Sequence, residues 1–99
     1  MVIVTVSLNP KEAFKKAYLA HMQELREIVL TEEGCMTYEL FEDPYHATKL
    51  FMFEKWENQE ALDKHLLQPH MLEHFQKVAP WVDEKAVIEI HEVSKSKSL

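Results

Sequence analysis

The chain has 99 residues, 46% hydrophobic and 28% charged, the size and composition of one globular domain, which excludes global disorder. Its formal charge of −6 excludes functions that need a basic face, so neither nucleic acid nor an anionic membrane is an expected partner. The single Cys35 cannot form an internal disulfide, no apolar run approaches the ~20 residues that span a bilayer, and no basic leader precedes the first strand, so a cytoplasmic protein is expected.

Val2 to Leu8 is apolar and β-branched, with Val2, Val4, Val6 and Leu8 on one face of a strand. In the segment that follows, Asn9 is placed to cap a helix and Pro10 to occupy its first position. Phe14, Tyr18, Met22, Leu25 and Val29 recur every three or four residues, the mark of an amphipathic helix. Gly34, the only glycine, is expected just past it in the left-handed conformation that ends a helix.

Cys35 to Glu42 alternates, setting Met36, Tyr38 and Leu40 against Thr37, Glu39 and Phe41, and a turn over Asp43 to His46 follows. Leu50 to Trp56 is a third strand with Leu50, Met52, Glu54 and Trp56 on one face and Phe51 and Phe53 on the other. Asn58 caps a short helix carrying Ala61, Leu62 and Leu66. Pro69 breaks it and opens another, with Leu72, Phe75 and Ala79 on one face and Pro80 at its end. Ala86 to Val93 is the last strand, so the domain is read as residues 1–93, with a flexible basic tail at 94–99.

The order β-α-β-β-α-β is the α+β, ferredoxin-like split arrangement, with helices on one face of an antiparallel sheet. Three strands carry apolar residues on both faces (Ile3 with Val4, Phe51 with Met52, Val87 with Ile88). Helices on one side leave the other uncovered, so a homodimer closing sheet on sheet is expected. Cover of Phe51 and Phe53 by the C-terminal tail is the alternative.

Several segments carry a resemblance. They are Glu32-Glu33-Gly34-Cys35 before the second strand, Glu54-Lys55-Trp56-Glu57 closing the third, and Glu60-Ala61-Leu62 followed by His65 and Pro69-His70. On these residues the chain resembles the antibiotic biosynthesis monooxygenase (ABM) superfamily of dimeric α/β barrels, which includes cofactor-independent quinol monooxygenases. The His-Leu-x-x-Pro-His-Met pattern of His65 to Met71 is similar to the quinol monooxygenases. Asp43-Pro44 and the His65 to His70 spacing resemble the members that process phosphorylated autoinducer-2. The haem-degrading branch departs, because Ser7 stands where that branch has Asn, and Phe75 where it has its haem-ligating His, with His74 one position off.

The resemblance implies a small-molecule pocket between sheet and helices and no cofactor. Oxygenation without a cofactor needs a base near neutral pH, an apolar slot and a donor for the developing oxyanion. His65 is the candidate base, unless it is a helix-end imidazole bonded only to backbone. Glu54 either orients an imidazole or sits solvated at the strand end, and Trp56, grouped with His65 and Glu54 as a catalytic candidate, is read as a packing residue that forms the slot with Phe51 or Met52. Tyr38, Met52, His70 and Phe75 are the candidate substrate-binding residues, Tyr38 as an oxygen donor or as core.

His70 and His74 stand four apart, a zinc-helix spacing, but no Cys, Asp or Glu converges on them in the sequence, so no metal is expected. His21, His46 and His91 have no companions, and Cys35 is read as packed rather than reactive. Three functions stay open at this point: a quinol-like monooxygenase, an isomerase or lyase of a small phosphorylated hydroxyketone, and a non-catalytic binding or assembly domain. A lysine-lined anion site (Lys49, Lys55 or Lys64) would mark the second, and an interior filled by Met22, Met52 and Phe75 the third.

Overall fold

The alternating segments form a four-stranded antiparallel sheet in the computed structural model, which describes residues 1–99. Strand β1 (Val2–Leu8) is flanked by β3 (Leu50–Trp56) and β4 (Val87–Glu92), with β2 (Cys35–Glu42) on the far edge, in the order β2-β3-β1-β4. Helices α1 (Lys15–Val29), α2 (Gln59–Leu66) and α3 (Pro69–Val78) lie over one face, so the chain is an α+β ferredoxin-like domain. No helix is long and apolar enough to cross a membrane.

Register sorts the two faces. Val4 lies opposite Glu54 on one side and Ile90 on the other, so the even-numbered positions of these three strands share the helix side. There Val2, Val4, Leu8, Leu50, Met52 and Trp56 are buried with Tyr18, Met22, Leu25 and Val29 of α1. Ile88 and Ile90 point the same way but are 59% and 51% exposed, because the helices stop short of β4. Arg26 ties α1 to the sheet edge, with Nε donating to the Tyr38 carbonyl and one Nη to Glu39 at 2.7 Å.

Several local expectations are corrected. Asn9 and Pro10 do not open α1. Pro10 instead bridges Val82 and is buried, and a 3-10 turn over Glu12–Phe14 leads into the helix at Lys15. The pairing of β2 with β3 shifts between Cys35 and Thr37, so Met36 takes the bulge and is 57% exposed rather than inward. Helix α3 buries Met71, His74 and Val78, and leaves Leu72 and Phe75 about half exposed. Its inward face is therefore one residue out of phase with the Leu72, Phe75 and Ala79 pattern, because a histidine occupies a core position. Asn58 does cap α2, its side chain accepting from the Ala61 amide at 2.8 Å.

Gly34 has the expected positive φ, +81°, but in the turn entering β2 rather than at the end of α1. Its carbonyl accepts from the Glu57 amide at 2.8 Å, and a Cβ built on it would lie 2.5 Å from that of Ala61. Both the left-handed backbone and the packing of α2 against this turn require the missing side chain. Gly34→Ala is expected to destabilise the fold by roughly 2–4 kcal/mol, combining backbone strain with overpacking. Denaturant unfolding checks this; a loss below about 1 kcal/mol would mean that α2 moves aside freely.

Candidate active site

Strand β3 ends beneath α2, and its inward alternation drives a carboxylate into the core. Glu54 is 6% exposed and accepts a hydrogen bond from Trp56 Nε1 at 3.0 Å. The two side chains share one face because they are two residues apart in a strand. Burial, with the Glu32 charge adding to it and the Trp56 bond opposing it, pushes the Glu54 carboxyl up to about 7. The solvated reading of Glu54 is thus replaced by a buried one.

His65, on the last turn of α2, is 1% exposed and packs its ring 4.4 Å from that of Trp56 and 5.7 Å from that of Tyr38. Its orienting carboxylate is Glu32, not Glu54, and the backbone-bonded reading of this imidazole fails. Nδ1 lies 2.9 and 3.1 Å from the two Glu32 oxygens, and His70 Nε2 is 2.9 Å from Glu32 Oε2. An ionised carboxylate only accepts, so His65 donates from Nδ1 and keeps Nε2 as the basic nitrogen. Burial lowers the His65 pKa and the Glu32 bond partly restores it.

His65 Nε2 and the Tyr38 hydroxyl make no hydrogen bond within the protein. No enclosed side-chain polar atom lacks a partner either, so both open on the adjoining cavity. This cavity, about 460 Å³, lies between the sheet and α3 and is lined by 20 residues, 16 of them hydrophobic. Tyr38, Met52, Glu54, His65, His74 and Phe75 are all in its wall. Burial raises the Tyr38 phenol far above its ordinary range, so it stays a proton donor. Glu54 and Glu84 line the cavity and no lysine or arginine does.

Two candidates fall outside the wall. Trp56, fully buried, holds Glu54 and His65 in place from behind. His70 lies on the far side of Glu32, where it borders a separate groove. His70 and His74, expected on one face, face different partners. His74 is buried against His21, with His21 Nε2 2.8 Å from His74 Nδ1 and the rings stacked 5.0 Å apart. That contact requires one donor and one acceptor, so at least one ring is neutral; burial lowers His74 to about 4, and burial with the Lys77 charge lowers His21 as well. His21 therefore has a companion that the sequence pattern did not reveal. Cys35 is half-buried, and burial with the nearby Glu32 and Glu54 charges pushes its thiol up to about 11, away from reactivity.

The raised Glu54 pKa makes a stability prediction. An unfolded glutamate loses its proton near the ordinary 4.5, the native one near 7. Between those values the native state binds more protons, so stability falls as pH rises and the penalty is complete above pH 7. Glu54→Gln keeps an acceptor for Trp56 and removes the penalty. The variant is expected to be more stable than the wild type by about 2–3 kcal/mol at pH 8, with no gain at pH 4. Equal stabilities at pH 8 would show that the Glu54 pKa is not raised in the native state. A group that costs stability at neutral pH while facing a cavity is a candidate for proton transfer.

An antiparallel sheet roofed by helices, with acid–base side chains opening on an apolar cavity, defines a small ferredoxin-like domain. The chain belongs to the antibiotic biosynthesis monooxygenase family, whose model matches residues 1–77. An uncharacterised protein of a Synechocystis strain is 28% identical over 98 residues, 99% of this chain and 67% of that protein. Among solved structures, a Deinococcus radiodurans protein provisionally named an antibiotic biosynthesis monooxygenase superimposes with a TM-score of 0.93 at 19% identity, covering 100% of this chain and 98% of the other. A conserved Methanosarcina mazei protein gives a TM-score of 0.87 at 26% identity, over 91% and 89% of the two chains. These likenesses establish fold and family, and the chemistry has to be argued from the cavity.

Proposed function

We propose that the protein is a cofactor-independent monooxygenase of a small, uncharged, quinol-like aromatic, working in the cytoplasm as a homodimer. The observation that carries this reading is the carboxylate-oriented His65 beside a raised Glu54, at the wall of a large apolar cavity with no cationic group. The oxygenases named among the structural neighbours add support at the level of family.

In this reading His65 Nε2 accepts a phenolic proton, and Glu32 steadies the imidazolium that forms. The electron-rich ring carbon bonds one atom of O2, and the Tyr38 hydroxyl donates to the developing negative charge. Glu54, near neutrality, returns a proton as the O–O bond breaks. The quinol and O2 become a hydroxyquinone and water, with all four electrons supplied by the substrate. Met52 and Phe75 supply apolar wall against the ring, which keeps water from the intermediate.

The competing functions fit less well. A phosphorylated hydroxyketone needs a cationic subsite, yet Lys55 lies over the Phe53 ring, Lys64 pairs with Glu60 at 3.4 Å, and the cavity carries two carboxylates. A binding domain with a filled interior does not suit a cavity of about 460 Å³. Oxygen uptake by metal-free protein given simple hydroquinones tests the proposal, with one O2 consumed per hydroxyquinone formed. No uptake above the uncatalysed rate across a series of alkyl-substituted hydroquinones would sink it.

The dimer rests on the sheet face away from the helices. There Phe41 and Val87 are 54% and 62% exposed, and Ile3, Phe51 and Phe53 are only partly covered within one chain. The basic tail at 94–99 lies outside β4 and is read as carrying no part of the site.

A further inference from the structure

We infer that Glu32, His65 and His70 form a binding site for a divalent transition-metal ion of the zinc class, on the opposite side of the His65 ring from the cavity. One ligand atom from each, a Glu32 oxygen, His65 Nδ1 and His70 Nε2, lies within 4.8 Å of the other two. Two imidazole nitrogens and a carboxylate oxygen are the donor set that borderline ions prefer. Ligand atoms around a tetrahedral zinc ion stand about 3.3 Å apart, given bonds of about 2.0–2.1 Å. The two nitrogen–oxygen distances here are 2.9 Å, a few tenths of an ångström short of that, and the two nitrogens lie within 4.8 Å of each other, so the more exposed His70 ring closes toward His65 as an ion replaces the two N–H protons.

Two features make this more than a hydrogen-bonded cluster. The three groups come from separate elements: the turn before β2, the end of α2 and the start of α3. Pro69 at the first position of α3 fixes where His70 points relative to His65. Their side chains are 10%, 1% and 21% exposed, so the donors are shielded, yet Glu32 and His70 border an open groove that gives an ion a way in. An ion held by three protein ligands there keeps its remaining positions for water from that groove.

Coordination at Nδ1 leaves the ring's one proton on Nε2, the nitrogen that faces the cavity. An occupied site and a basic His65 therefore exclude one another, a consequence that rests on the role given to His65 above. The experiment is calorimetric titration of chelator-treated full-length protein with Zn2+, repeated with Co2+ to read nitrogen ligation from its visible spectrum. The wild type should saturate at about one ion per chain. His70→Ala, at the least buried ligand, should weaken binding by at least about tenfold with its circular dichroism unchanged, and Glu32→Gln should do the same. His74→Ala should bind like the wild type and so separates this site from the His21–His74 pair. Quinol oxidation by the wild type should fall with the same zinc midpoint. Absence of saturable binding below about 100 µM, or binding unmoved by His70→Ala, overturns the site. Full quinol oxidation by zinc-saturated protein overturns the exclusion. Because calorimetry needs no turnover, protein inactive on quinols but binding zinc would refute the oxygenase and leave the site standing.

Discussion

His65→Asn is expected to lower quinol turnover by about 10²–10⁴-fold while leaving the fold intact. The asparagine amide can still donate to Glu32 from roughly where Nδ1 sits, so the buried carboxylate keeps its partner. What disappears is Nε2, the His65 nitrogen on the cavity wall that makes no bond to another residue. Alanine is a poorer choice, since it would also remove packing against Trp56 and Tyr38. Glu32→Gln should act more mildly, about 10–100-fold, because the imidazole stays but loses its counter-charge and its fixed tautomer. Its pH–rate profile should shift, as a merely structural change would not cause. Turnover of His65→Asn within about threefold of the wild type would remove His65 from the mechanism and leave Glu54 as the base.

Much of this arrangement is written locally. Alternation in Leu50 to Trp56 puts Glu54 and Trp56 on one face, and their hydrogen bond follows from i, i+2 spacing on a strand. The α1 stripe of Tyr18, Met22, Leu25 and Val29 is buried as its periodicity requires. Asn58 signals the start of α2, and α2 in turn fixes His65.

What is not local was not legible. Glu32 meets His65 and His70 across 33 and 38 residues, a separation at which spacing carries no information. Its position two residues before the sole glycine, inside a segment that carries the resemblance, is the available signal. The phase of α3 is not legible because Leu72, Phe75 and Ala79 outline an apolar face that the buried Met71, His74 and Val78 do not share. A histidine whose neighbour is another neutral histidine behaves as a core residue, and the partner, His21, lies 53 residues away. The Met36 bulge likewise depends on how β2 meets β3, not on β2 itself.

Phe53→Asp is expected to break the proposed dimer. On the sheet face away from the helices Phe53 pairs with Thr5 of β1 and Glu39 of β2, near the middle of both ladders. Its ring is covered on one side by Lys55, whose Nζ lies 5.7 Å from the centroid, and is otherwise only partly shielded by its own chain. A two-fold axis would bring this face against its copy, so one substitution enters the interface twice. At about 2 kcal/mol for each buried aromatic anchor, the loss is about 4 kcal/mol, roughly a thousandfold in the dimer dissociation constant. Glu89 makes a control, because it shares the face on edge strand β4, and Glu89→Gln should leave the assembly intact. Sedimentation of the wild type at low micromolar concentration should give a dimer, and Phe53→Asp a species of 11.7 kDa or an unfolded chain. If the wild type itself sediments as a folded 11.7 kDa monomer, the exposed Phe41 and Val87 have no partner copy and the sheet-to-sheet barrel is wrong.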